Sequence, residues 1–428
     1  MANGWRCCYC CWNEERTALL QLKANIKYST SGDDYLSSWG ANETSDCCRW
    51  EGIVCSNTTR RVVELSIIAK EEKLSNGTYT DDILGNWLFN ASLFIPFKNL
   101  KALLLPGHYL AGWVKNEGLD KLEILDLSVN SLDLENVFST LQINTSRMVL
   151  KKLDIKHHLR LLGLLKCNIG GDFPNWLLQN NFRLGEVYLD GNAFTGSLRL
   201  PFLPNLKALD ISNNKIQGEL PSNIGSIFPK LSMLLMSNNM LEGLARKGSK
   251  LYFLRLSNNL LDGEIFPALA DINNLEYLYL DGNNFSGPIP QALVTAPFLS
   301  ILDLSDNNLS GNIPAWLGNI SSLKYLGLSR NHLKGHIPPD YCRLEGPEVL
   351  DLSENNLVVM IPSCFSAFRD LKHVHLSKNK LQGEFNMFSN SSYLQLLDLR
   401  DNNFSGSIPK WLGSTSDITI LLLKGNRL

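Results

Sequence analysis

The sequence is short of charge, of histidine and of long apolar runs. Charged residues make up 19% of the 428 residues, against roughly 25% in an average soluble protein. A formal net charge of -2 gives no footing for a polyanion partner such as nucleic acid. No apolar run approaches the ~18 residues that a membrane helix needs; candidates such as Ile418 to Leu423 are far too short. With no histidine before His108, the early cysteines have no nitrogen partner for a zinc site, and Cys47, Cys48 and Cys55 stand too close together for a common zinc spacing. The chain also lacks G-x-x-x-x-G-K-[ST], H-E-x-x-H and G-x-S-x-G, so phosphate-loop, zinc-protease and serine-hydrolase chemistry have no motif to rest on. We expect no cofactor, no metal and no catalytic residue.

What is present is leucine and asparagine: 78 Leu and 43 Asn among 428 residues. That bias points to one short pattern used many times. An apolar content of 44% is enough for a large core and excludes wholesale disorder.

Cysteine and sequon usage point to secretion. Six of the ten cysteines lie in the first 50 residues, with Cys55 just beyond. Disulfides are the better reading of them, which implies an oxidising compartment. N-x-S/T acceptors for glycosylation occur at Asn42, Asn57, Asn76, Asn90, Asn144, Asn284, Asn308, Asn319, Asn390 and Asn403. The start, MANGWRCCYCCW, has no apolar stretch of the ~7–15 residues a signal peptide needs. We read residues 1–11 as a residual or defective signal segment.

From Leu184 onward the chain repeats L-x-x-L-x-L-S-x-N-x-L-x-G-x-I-P, as in Leu275 to Pro290, LEYLYLDGNNFSGPIP. Anchored on the ninth position, units fall at His108, Asn130, Cys167, Asn192, Asn214, Asn239, Asn259, Asn283, Asn307, Asn331, Asn355, Asn379, Asn402 and Asn426. Six of these 13 spacings are 24 residues. The gap between Asn130 and Cys167 is 37, with room for a degenerate unit at Leu150 to His158. Leucines at positions 4 and 6 have the period of a half-buried strand. Asn at 9 can donate and accept, so a column of them can satisfy backbone groups inside the turn. Gly at 13 permits unusual backbone angles, and Pro at 16 stops a ladder. One unit cannot bury its own apolar face; stacked units can, giving a long parallel sheet on a concave surface.

This unit resembles the plant-type leucine-rich repeat. The segments CWNEERTALLQLK from Cys11, LSSW from Leu36 and DCCRWEGIVC from Asp46 resemble the amino-terminal cap of the same family. WLFNASLFIPF from Trp87, VKNEG from Val114 and IPSCF from Ile361 are similar to plant receptor-like proteins in particular. The resemblance implies an α/β right-handed solenoid, with a cap at 12–60, an irregular first repeat at 61–99 and about 14 repeats over 100–428. It implies disulfides Cys11–Cys47 and Cys48–Cys55. It also implies an extracellular, non-catalytic ectodomain that senses ligands and signals through partner receptor kinases. The family's signal peptide, island insertion and membrane helix are not seen, so we read the chain as a partial receptor-like protein. Any membrane attachment would then come through a segment missing from this chain. Cys342 and Cys364 stand near one repeat length apart, which suggests a structural disulfide on the convex side.

Ligands of such solenoids meet the exposed strand positions 2, 3, 5, 7 and 8. Position 5 is commonly Asp, as at Asp126, Asp210, Asp303, Asp351 and Asp398, and these we assign to structure and solubility. The departures are the candidates: Tyr188, Arg255, Tyr279, Gly327 and His375 at position 5, with Phe253, Tyr277, Tyr325 and His373 at position 3. Tyr and Arg bury much area and keep a polar tip. Gly327 suggests a notch between Asp303 and Asp351. A peptide, an oligosaccharide or a protein ligand would suit this face. The competing reading is a secreted inhibitor of polygalacturonases or a decoy, which would share the cap and the 24-residue unit. Either way the protein would sit outside the cell or on the outer side of the plasma membrane.

Overall fold

The structure, a computed structural model, describes residues 11–26, 36–40, 42, 45–68, 87–108, 110–114, 119, 121–130, 158–221, 224–243, 251–265, 272–389, 391–413 and 417–428. The chain divides into two compact units, residues 1–215 and 216–428.

The first unit opens with the helix Asn13–Asn25, which buries Ala18, Leu19 and Leu22. The disulfide Cys11–Cys47 ties its start to the segment that follows, and Cys48–Cys55 closes a loop within that segment. Trp39 and Trp50 stack with centroids 5.7 Å apart. Glu15 is fully buried; it accepts from the Val62 N–H at 3.0 Å and pairs with Arg61 at 3.2 Å, fastening the helix to the first coil. Burial raises its pKa, against the lowering pull of the Val62 N–H and Arg61. Strand Ile53–Cys55 pairs antiparallel with Val62–Ser66. From there pairing is parallel, through Ala102–Leu104, Ile124–Asp126, Leu161–Gly163, Glu186–Tyr188 and Ala208–Asp210. Because Ile124–Asp126 pairs directly with Leu161–Gly163, no coil between them adds a strand to this sheet. The degenerate unit expected at Leu150 to His158 falls, but for His158, outside the described residues.

The second unit is more regular. Its main sheet runs parallel through Met233–Leu235, Phe253–Arg255, Tyr277–Tyr279, Ile301–Asp303, Tyr325–Gly327, Val349–Asp351, His373–His375, Leu396–Asp398 and Ile420–Leu422. Each strand holds positions 3 to 5 of a repeat, so residue 4 points inward and residues 3 and 5 outward. Leu275, Leu278, Leu280 and Phe285 of one coil are fully buried, each worth about 1.5–3 kcal/mol. Asn284–Gly287, Asn308–Asn312, His332–Gly335, Asn356–Val359, Lys380–Gly383 and Asn403–Phe404 belong to a second sheet. Short 3-10 turns then return the chain, and Cys342–Cys364 joins two of them, Pro339–Arg343 and Ser363–Ala367.

The asparagine column links coil to coil. Asn283 donates from Nδ2 to the carbonyls of Leu256 in the preceding coil (3.0 Å) and of Leu280 and Asp281 in its own. Its Oδ1 accepts from the Leu261 N–H at 3.2 Å. Asn307, Asn331, Asn355 and Asn379 repeat the pattern. The two exceptions substitute in kind. His108 Nε2 lies 2.9 Å from the Ile67 carbonyl, and burial lowers the His108 pKa, so the ring stays neutral and donates there. Cys167, a free buried thiol, donates to the carbonyls of Leu127 at 3.1 Å and Leu165 at 3.4 Å. Its burial pushes the thiol pKa up to about 12, so it remains a donor.

Candidate functional site

The exposed face of the second unit's main sheet gathers four of the expected residues into one cluster. Phe253 stacks on Tyr277 with centroids 5.2 Å apart and tilts against Tyr279 at 5.8 Å. The Arg255 guanidinium lies over the Tyr279 ring at 4.9 Å, a cation–π contact. All follow from register, since Phe253 pairs with Tyr277, and Arg255 with Tyr279. Tyr252 completes the cluster, edge-on to Tyr277 at 5.3 Å and 40% exposed. It was not among the expected residues. The signal was there in the Tyr-Phe pair, which puts rings at positions 2 and 3 of one coil. Hydrogen bonds to Glu276 and Tyr252 raise the Tyr277 pKa, so its phenol stays protonated.

Tyr325 lies two strands further on. Its hydroxyl donates to Asp303 Oδ2 at 3.2 Å, and burial followed by the charge of Asp303 holds its pKa well above 10.0. Gly327 is not a notch. It is buried, and a Cβ built on it would lie 2.6 Å from Asp303 Oδ1. The missing side chain is the room into which Asp303 folds, and Gly163 gives Asp126 the same room in the first unit. The position-5 aspartates do structural work: Asp303 and Asp351 accept at 3.0 Å from the N–H two residues on, and Asp398 does so at 3.1 Å.

His373 and His375 stand on one strand, half-buried, with His375 in register between Asp351 and Asp398. They are separated from the aromatic cluster by the strands of Asp303, Tyr325 and Asp351. Tyr188 belongs to the first unit, where its hydroxyl donates to Glu186 Oε2 at 3.1 Å; burial and that carboxylate push its pKa up to about 12. Among the described residues no group of three or more His, Cys, Asp and Glu is placed to hold a metal ion.

Two rails of ion pairs edge this face, and the composition gave no hint of them. At position 2, Glu348 meets Lys324 at 3.6 Å and Lys372 at 2.6 Å. At position 8, Asp306 meets Arg330 and Glu354 meets Lys378, both at 3.0 Å. The signal was charge alternating at whole-repeat spacing. Exposed pairs like these each add little stability; they leave the stripe between them as the less charged ground.

Of the sequon asparagines, Asn42, Asn57, Asn284, Asn308 and Asn319 are exposed and Asn403 is partly so. Asn319 Oδ1 accepts from Arg343 at 2.8 Å. Asn76, Asn144 and Asn390 lie outside the described residues, as does the side chain of Asn90.

The leucine-rich-repeat N-terminal domain family matches residues 13–56. The leucine-rich-repeat family matches 205–227, 274–295, 298–320, 322–344, 347–368 and 393–415. With the parallel coils and the disulfide-closed cap, these matches identify the fold of this chain as a leucine-rich-repeat solenoid. Its curated relatives are plant receptor-like proteins. Cuscuta receptor 1 of Solanum lycopersicum is 42% identical over 246 residues, covering 54% of this chain and 20% of the relative. Receptor like protein 21 of Arabidopsis thaliana is 33% identical over 227 residues, covering 50% and 21%. The chain thus spans about a fifth of the length of these relatives. Among solved structures, PEPR1-AtPEP1 aligns with a TM-score of 0.72 at 26% identity, over 97% of this chain and 55% of that one. The plant peptide hormone receptor RGFR1 in complex with RGF2 aligns with a TM-score of 0.60 at 26% identity, over 89% and 60%.

Proposed function

We propose that this chain is the ligand-binding part of an extracellular plant receptor-like protein, with no chemistry of its own. The observation that carries the reading is the cluster of Tyr252, Phe253, Arg255, Tyr277 and Tyr279 on an open strand face. Stacked rings spend conformational freedom before any ligand arrives, so binding to them loses less entropy. Tyr325 extends the row, and His373 and His375 form its far end; Tyr188 is a separate contact in the first unit. A peptide is the ligand class best supported, because the aligned RGFR1 is a peptide hormone receptor. On this reading 12–60 is the cap, 61–99 an irregular first repeat and 100–428 the repeats. The sequons carry glycans, and the bound complex recruits a receptor kinase.

The test compares the unaltered chain with Tyr277→Ala, Tyr279→Ala and Tyr325→Ala combined. Fractionated extracellular peptides are screened by thermal shift. A fraction that raises the midpoint of the unaltered chain but not of the variant supports the reading. Equal shifts in both, with the variant folded by circular dichroism, contradict it.

A further inference from the structure

The short 3-10 turns behind the main sheet of the second unit share one buried place. Their third residues are Leu293, Leu317, Tyr341 and Phe365, all fully buried. Of these, Tyr341 alone brings a hydroxyl, and that hydroxyl has no hydrogen-bond partner among the described residues. A cavity of about 10 Å³ adjoins the ring, with Leu326, Leu350, Phe365 and Phe368 among its mostly apolar walls. A hydroxyl so placed would gain hydrogen bonds by reaching water. Leu326 and Leu350 belong to the strands Tyr325–Gly327 and Val349–Asp351, so the ring backs the sheet.

What keeps Tyr341 inside is next to it in sequence. Cys342 is bonded to Cys364 of the following turn; Cys342 is exposed and Cys364 half-buried. The cap disulfides are less open: Cys11 and Cys47 are buried, Cys48 and Cys55 half-buried. Backbone bonds of the turn Pro339–Arg343 are local, from the Tyr341 N–H to Pro338 at 3.1 Å and from the Leu344 N–H to Tyr341 at 3.0 Å. Pro338, Pro339 and Pro347 have no N–H to give. The turn lies close on Gly318 of the preceding coil, and the Arg343 guanidinium donates to Asn319 there at 2.8 Å. Its covalent tie to the following coil is the disulfide. We propose that Cys342–Cys364 is a redox latch that holds this turn closed over Tyr341. A small dithiol opens it. One thiolate of the dithiol attacks a sulfur, the S–S bond breaks to a mixed disulfide, and the second thiol closes the reductant's own disulfide. Two electrons and two protons pass to Cys342 and Cys364. Tyr341 then turns out to water, and the strands Tyr325–Gly327 and Val349–Asp351 lose their backing. The latch does not depend on the proposed ligand, although Tyr325 of that face stands on one of the two strands.

The experiment uses the full chain, oxidised and after dithiothreitol, read by cysteine alkylation with mass mapping and by hydrogen exchange. Cys342 and Cys364 are expected to be alkylated before Cys11 and Cys47. Reduction speeds exchange about a hundredfold in the turn and in Tyr325–Gly327 and Val349–Asp351, the scale set by a loop of this size. The strands Phe253–Arg255 and Tyr277–Tyr279 stay unchanged. Cys342→Ser with Cys364→Ser gives the same pattern with no reductant present, so the cap disulfides are left intact. In the reduced chain Tyr341→Phe slows the same amides about tenfold, the worth of one unpaired buried hydroxyl, and leaves Phe253–Arg255 as it was. Equal exchange in the reduced Tyr341→Phe and unaltered chains would make the disulfide a plain brace and overturn the proposal. So would unchanged exchange once Cys342 and Cys364 are fully alkylated, exchange that speeds equally in every strand, or alkylation of the cap cysteines first.

Discussion

Replacing Asn331 by Ala tests the coil-to-coil asparagine column where it is most regular. Nδ2 of Asn331 donates to the carbonyls of Leu304 (3.0 Å), Leu328 (3.2 Å) and Ser329 (3.1 Å), and Oδ1 accepts from the Leu309 N–H at 2.9 Å. The side chain is 5% exposed, so water has little access to what is left behind. A buried polar group left unmade costs about 1–3 kcal/mol, and the N–H of Leu309 has no second option while the carbonyls keep a second lone pair; the sum is about 3–5 kcal/mol. Asn331→Cys makes the finer point, because Cys167 already bonds two carbonyls with its thiol. It should restore part of the donation, lose the acceptor, and fall between Ala and Asn. Urea denaturation followed by circular dichroism gives the free energies, and amide exchange at Leu309 reports the orphaned donor. If Asn331→Ala comes within ~0.5 kcal/mol of the unaltered protein, the column does not hold the coils together, and the argument fails.

Three further outcomes follow from particular groups. Tyr341 is fully buried and its hydroxyl has no hydrogen-bond partner among the described residues; Tyr341→Phe should therefore stabilise the chain by about 1–2 kcal/mol, and a lower unfolding midpoint would contradict this. Replacing Cys342 and Cys364 by Ser opens a 22-residue loop and should cost about 3 kcal/mol by chain entropy, read from denaturant midpoints. Glu15 has its folded pKa raised above 4.5 by burial, so the folded cap binds a proton more readily than the unfolded one. Its contribution to stability is present below that value and is lost as pH rises through the folded pKa. Glu15→Ala should flatten that part of the pH-stability curve, and an unaltered slope would remove Glu15 as its source.

The coil stack and its interior were legible because the apolar period is strict. Leu at positions 1, 4 and 6 has few other places to go once coils stack, and Asn at 9 is a rare enough choice to mark each turn. Backbone that tertiary contacts dictate was harder to read. Position 8 is left-handed at Asn213, Asn258, Arg330, Glu354 and Lys378 alike, although Arg, Glu and Lys have no preference for that region. What holds them is a bond to the next coil: the N–H of Arg330 to the Ser353 carbonyl at 3.0 Å, and that of Glu354 to Ser377 at 2.8 Å. Gly327 was misread for a related reason. A glycine on a strand face looks like an opening until the neighbouring Asp303 is seen to fill it. The aromatic cluster was found from spacing alone, since period 2 within a strand and register between strands fix which rings meet. Tyr252 escaped because the candidates were drawn from positions 3 and 5 alone, although position 2 is exposed as well.

Hydrogen exchange on the purified chain, with and without a peptide fraction that raises its unfolding midpoint, addresses the proposed ligand face most directly. Slowed exchange is expected in the strands Phe253–Arg255, Tyr277–Tyr279 and Tyr325–Gly327, with the strand His332–Gly335 of the second sheet unchanged. Slowed exchange confined to the second sheet or to the cap would contradict the assignment.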